Sequence, residues 1–213
     1  MKLYHYIHCP FCVRVRMAMG FLETPYSSVV LPYNDEKTPL SLTDKKMLPI
    51  AEYKNSKSQD IVSNESLNII KDNDVDNKLA NELYSSEVEE LLGSLGKEVH
   101  SLAMPYWIWT PEFDEASREY FQNKKEVKRG PFKELVKNRE KFIQSLNIKL
   151  NSLDKMMTPY YKSDKLTIND IAIASHLWGM YIVPEFQFSD RMNTYLMNIK
   201  SKCNFNYHED YWK

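Results

Sequence analysis

Residues 8–12 read HCPFC, directly after the short aromatic stretch KLYHYI (2–7) and directly before VRVRMAMGFL (13–22). A cysteine pair at this spacing, set between a strand-like and a helix-like piece, allows few folds and three chemistries. It can be half of a tetrahedral metal site, a pair of core cysteines, or a redox dithiol. Zinc needs two more ligands. The chain offers Cys203 and the scattered His5, His8, His100, His176 and His208, none at paired ligand spacing. A cysteine at a helix start meets unpaired backbone N–H groups and the positive end of the helix dipole, which favour thiolate. Pro10 suits the first helical turn. Cys12, one turn on, is within reach of Cys9 for a disulfide and is expected to be the more buried and less nucleophilic of the two. Arg14 and Arg16 add positive charge nearby if they turn inward and none if they point to solvent.

The flanks give the architecture. KLYHYI (2–7), YSSVVL (26–31), LPIAEY (48–53) and QDIVS (59–63) read as strands, the last two joined by the polar KNSKS as a hairpin. VRVRMAM alternates with period two. A helix is nonetheless expected over 10–22, because Val13, Met17 and Phe21 share one face and Val15, Met19 and Leu22 a neighbouring one. A short helix or turn within 36–46 and a helix over 65–72 complete the order βαβαββα. Two crossovers followed by a hairpin imply a mixed four-stranded sheet with helices packed on it. Pro49, at the entry of a strand, must sit at an edge, a strand start or a bulge. A cis Leu48–Pro49 bond there would free the Leu48 backbone for an extended peptide.

NDVDNK (73–78) is polar and is read as the linker. Residues 1–72 form the α/β domain, 73–85 the linker and the start of the first helix, and 86–213 an all-α domain. Val88, Leu91, Leu92, Leu95, Val99 and Leu102 repeat at helical spacing, as do Phe142, Leu146, Leu150, Leu153 and Met157. Gly93 and Gly96 each weaken their helix by about 1 kcal/mol relative to Ala, and close approach of a neighbouring helix is the expected compensation. In LTINDI (166–171), Thr167 and Asp170 form a capping box, with Leu166 and Ile171 as a hydrophobic staple.

The formal net charge of −1 does not suit nucleic acid as the principal partner, and the basic run KKEVKR (124–129) reads as a solvated helix face. The longest apolar stretch, IAIASHLWGMYIV (171–183), is too short to span a bilayer. Three cysteines and no apolar leader fit a reducing compartment, so the cytoplasm is expected. Five glycines provide no phosphate-binding loop.

YIHCPFC, LPI and NES, in this order, resemble the thioredoxin-type, glutathione-binding fold of glutaredoxins, and the helical second half resembles that of glutathione transferases. With REYFQNKKE and GPFKEL (118–135) and the capping box, the likeness extends over nearly the whole chain to the two-domain bacterial glutaredoxins of the glutaredoxin-2 type. The resemblance implies a glutathione-dependent thiol–disulfide oxidoreductase, with Cys9 as nucleophile, Cys12 as resolving thiol, and Pro10 and Phe11 as the flank between them. It implies Leu48 and cis-Pro49 against the cysteinyl group of glutathione, and Glu65 and Ser66 at its γ-glutamyl end. No metal and no bound cofactor are implied; glutathione is the cosubstrate. Disulfide-bonded or glutathionylated proteins are the partners, and the chain is expected to be monomeric. Phe11 stands where the family often has Tyr, and Tyr6 where small glutaredoxins often have a basic residue. That leaves Lys45 or Lys46 as candidates for the glycyl carboxylate. A cysteine-type glutathione transferase and a non-catalytic glutathione-binding protein are the alternatives on the same scaffold. Cys203 has no assigned role.

Overall fold

In the computed structural model, which describes residues 1–110 and 112–205, the first half is a four-stranded sheet with helices against it and the second half is helical. Strands β1 (Lys2–His5), β2 (Ser27–Val30), β3 (Ile50–Lys54) and β4 (Asp60–Ser63) lie in the order β2-β1-β3-β4. β1 pairs parallel with β2 and antiparallel with β3, and β3 pairs antiparallel with β4. The helices of this half are α1 (Pro10–Phe21), α2 (Lys37–Thr43) and α3 (Ser66–Asn73). The mixed sheet expected from βαβαββα is therefore the one observed. Pro49 lies just ahead of β3, an interior strand, where it removes no ladder donor.

Among the described residues six α-helices follow: α4 (Ser86–Trp107), α5 (Glu115–Arg129), α6 (Phe132–Lys137), α7 (Arg139–Asp154), α8 (Ile168–Leu177) and α9 (Asp190–Lys202). The helix expected to run on to Met157 stops at Asp154, and the chain turns there through a second cis peptide, Thr158–Pro159. One apolar core runs through both halves, from Leu3 and Met17 to Leu95, Trp107, Ile171 and Trp178.

Helix α1 explains its own misleading pattern. It is packed against α3 on one side and α8 on another, so Val13, Val15, Met17 and Met19 are all at most 1% exposed. A helix buried nearly all round shows no clean 3.6-residue stripe. Arg14 and Arg16 are buried too: Arg14 lies over the rings of Phe11 and Tyr84, and Arg16 over that of Phe205.

Two glycine expectations need correction. A Cβ on Gly93 would meet nothing within 4 Å, and one on Gly96 would make only ordinary contacts with His100 and His176. At Gly93 no helix approaches, and at Gly96 α8 comes only to ordinary contact through His176; both glycines line a cleft of about 410 Å³ beside Phe11 and Arg14. The tight approach is at Gly20, where a Cβ would lie 1.8 Å from the Cys203 carbonyl oxygen at the end of α9. Because that obstacle is backbone, Gly20→Ala is expected to destabilise the protein by about 1–3 kcal/mol, read as a lower urea midpoint at unchanged slope.

The capping box is present at the start of α8. Asp170, fully buried, accepts from the Thr167 amide at 2.8 Å and hydroxyl at 3.0 Å, from the Tyr161 amide at 2.7 Å and from the Tyr195 hydroxyl at 3.0 Å. It therefore ties α9 and the turn after α7 to α8, beyond the local cap its sequence suggests.

Candidate active site

Cys9 is the N-cap of α1, with extended backbone (φ −71°, ψ 122°), and Pro10 occupies the first helical turn. Its carbonyl accepts the first helical bond, from the Val13 amide at 2.9 Å. Cys9 is partly exposed, whereas Cys12 is fully buried. The Cys9 thiol is pulled down to about 6 by a hydrogen bond from the Cys12 thiol, against the opposing effect of burial, with further help from the charge of His8 and the amides of Cys12 and Phe11. Burial and the neighbouring Cys9 charge push Cys12 the other way, well above the ordinary thiol range. One sulfur is set up to attack and the other to hold its proton until needed.

The apolar neighbours of this pair come from several elements of the sheet half. Cys9 and Cys12 share a small apolar cluster with Tyr4, Tyr6, Leu31, Leu48 and Ile50. The Tyr6 amide donates to the Cys12 sulfur at 3.4 Å. Leu48 and Pro49 are buried beside the pair, and the peptide between them is cis. Glu65, exposed, is the N-cap of α3 and uses no side-chain cap bond; Ser66, buried, opens the helix and accepts from Arg14 Nη1 at 3.4 Å. The ring of Phe11 is 47% exposed beside the cleft lined by Gly93 and Gly96. Lys46 is engaged by the Tyr120 ring at 3.9 Å and by Glu36 at 3.4 Å, while Lys45 is exposed.

Sequence reasoning missed the contribution of the helical half. Glu112, in the loop between α4 and α5, accepts from the Ile7 amide at 2.8 Å, the His8 amide at 3.3 Å and His8 Nδ1 at 2.5 Å. The only available signal was a lone acidic residue in the apolar run YWIWTPEF. The run KKEVKR is also not a simple solvated face. Lys125 turns inward over the rings of Tyr33 and Phe121, where burial lowers its ammonium against the opposing support of the Cys9 charge, and Arg129 reaches His100 at 3.1 Å.

The metal candidates disperse. His5 bonds Ser28 at 2.7 Å, His176 bonds the Ala172 carbonyl at 3.0 Å, and His100 meets Arg129; burial holds all three histidines down to about 3. Among the described residues no three His, Cys, Asp or Glu side chains converge, and His208 lies outside those residues. Cys203 is fully buried at the end of α9, its thiol pushed up to about 12 by burial. Alkylation of the reduced native protein is therefore expected at Cys9 alone, with a rate that rises through about pH 6 and then levels off. Peptide mass mapping at each pH checks both points.

Comparisons with known proteins place the chain among relatives. Residues 87–210 match the family model described as "Glutaredoxin 2, C terminal domain", and residues 3–72 that described as "Glutathione S-transferase, N-terminal domain". Glutaredoxin 2 of Escherichia coli strain K12 is 30% identical over 213 residues, 97% of each chain. The crystal structure of glutaredoxin 2 from Salmonella typhimurium in complex with glutathione aligns with a TM-score of 0.85 at 29% identity, over 98% of this chain and 97% of that one. FzlA from C. crescentus, at 16% identity and a TM-score of 0.64, shares the fold. A family model over more than half of the chain, and a relative matched over nearly its whole length, place the protein in the glutaredoxin 2 family.

Proposed function

We propose that the protein is a glutathione-dependent thiol–disulfide oxidoreductase working through Cys9. The observation that carries this reading is the opposed pair: a partly exposed, acidified Cys9 and a buried, protonated Cys12 hydrogen-bonded to it. The Cys9 thiolate attacks the glutathione sulfur of a mixed disulfide. The S–S bond breaks, the substrate sulfur leaves as thiolate and takes up a proton, and Cys9 carries the glutathionyl group. A second glutathione thiolate then attacks that sulfur, releasing oxidised glutathione and the Cys9 thiolate. With a protein disulfide, the Cys9 thiolate attacks one sulfur and displaces the other as a thiolate that takes up a proton. Cys12 then gives up its proton and attacks the Cys9 sulfur, breaking the mixed disulfide and releasing the second protein thiol. Two glutathiones reduce the resulting Cys9–Cys12 disulfide.

Glutathione is the cosubstrate. Leu48, ahead of Pro49, pairs its cysteinyl backbone; Glu65 takes the ammonium; Ser66 and the first amides of α3 take the γ-glutamyl carboxylate. Arg14 behind Ser66 supports the same placement. Lys45 or Lys46 takes the glycyl carboxylate; Lys45 is exposed, whereas Lys46 is engaged by Glu36 and Tyr120. Disulfide-bonded and glutathionylated proteins are the substrates, met by a cytoplasmic monomer built of domains 1–72 and 86–213. Among the described residues no helix is long and apolar enough to cross a membrane.

The test is glutathione-dependent reduction of a small glutathione mixed disulfide, run beside conjugation of glutathione to an electrophile. The reading predicts turnover in the first assay and little in the second. The reverse makes the protein a transferase, and inactivity in both makes it a binding protein.

A further inference from the structure

We propose that Glu112 is a positioning residue for Cys9: reaching across from the helical half, it holds a proton on His8 Nδ1 and fixes the two amides ahead of the nucleophile, so that His8 turns positive charge toward the Cys9 sulfur. The proposal rests on the reading of Cys9 as nucleophile. A carboxylate only accepts, so Nδ1 must be the donor in the 2.5 Å contact. The same carboxylate receives the Ile7 and His8 amides, and three donors on one group lock the turn from which Cys9 projects.

The site is dry: the His8 and Glu112 side chains are 5% and 3% exposed. An ionised carboxylate at that depth needs positive charge beside it. The imidazole in turn sits among the rings of Tyr6, Tyr33, Trp107, Phe113 and Phe121, at centroid distances of 5.1 to 5.8 Å. Aromatic faces tolerate a cation. The other titratable groups around it are Cys9 and Cys12 on its own segment, Tyr6 on the same strand end, Tyr33 after β2, His100 on α4 and Lys125 on α5.

This arrangement makes a prediction whose sign is opposite to that of simple proximity. Acting alone, the Glu112 charge disfavours thiolate, as it does at Cys12. Acting through His8, it favours thiolate at Cys9. Glu112→Gln keeps an acceptor for the loop amides and removes the charge that holds the His8 proton. His8→Phe keeps the ring in its cage and removes the proton altogether.

The experiment follows iodoacetamide alkylation of Cys9 against pH in the full chain, with the adduct located by peptide mass. Glu112→Gln and His8→Phe should each raise the midpoint by about one pH unit, a tenfold loss of rate below it, and the double variant should rise no further than His8→Phe alone. A midpoint that falls or stays in place in Glu112→Gln overturns the proposal. Should that variant not fold, Glu112→Asp, which keeps the charge but shortens the reach, must show the same rise, and an unchanged midpoint is equally fatal. Cys9→Ser is run alongside. If the low-pH adduct survives in it, the nucleophile was misassigned and the reading beneath the proposal fails, which no outcome of the Glu112 series mimics.

Discussion

Cys9→Ser is expected to lose glutathione-dependent disulfide reduction by about a thousandfold or more, because a serine hydroxyl at neutral pH supplies no anion to attack sulfur. The loss should come without loss of fold, since Cys9 is partly exposed and only borders a small cluster. Cys12→Ser should behave differently. Its hydroxyl can still donate toward Cys9, so reduction of a glutathione mixed disulfide should persist within several-fold, whereas reduction of a protein disulfide that needs an internal second thiol should collapse. Equal losses in the two variants on the mixed disulfide would mean that the two sulfurs do not have the separate roles their burial and acidity suggest.

The largest stability effect is expected far from the chemistry, at Asp170. Asp170→Ala strips the acceptor from two amides and two hydroxyls in a fully buried setting. Each buried donor left unpaired costs about 1–3 kcal/mol, with some relief from relaxation, so a loss of about 3–5 kcal/mol is expected in urea unfolding. Asp170→Asn, which retains one carbonyl oxygen, should fall between. A loss below about 1 kcal/mol in Asp170→Ala would show that water or repacking satisfies these groups.

The sheet half was legible because its strands are short, separated by turn residues and followed by a hairpin signal, all of them local features. Cys9, Pro10 and Cys12 were legible for the same reason: a helix start next to a strand end is a property of five consecutive residues. What could not be read was whatever depended on the other half of the chain. Whether Arg14 faces solvent or core depends on Ser66 and Tyr84, more than 50 residues later, and α1 as a whole is covered by α8, more than 150 residues later. Glu112 meets Ile7 across 105 residues, and no periodicity encodes such a contact. The glycines show the same division. Helix propensity marked Gly93 and Gly96 as costly, but only the packing shows that Gly93 borders open space and Gly96 has only ordinary side-chain contacts, while Gly20 is the one pressed against backbone. Asp170 was visible as a cap, and its bonds to Tyr161 and Tyr195 were not.

Cys9 alone is expected to form the covalent link to glutathione. The direct measurement is to treat the reduced Cys12→Ser protein with oxidised glutathione and locate the adduct by intact and peptide mass. The account predicts a single glutathione, on Cys9, removed by added glutathione, with Cys203 unmodified. An adduct on Cys203, or no adduct at Cys9, would contradict it.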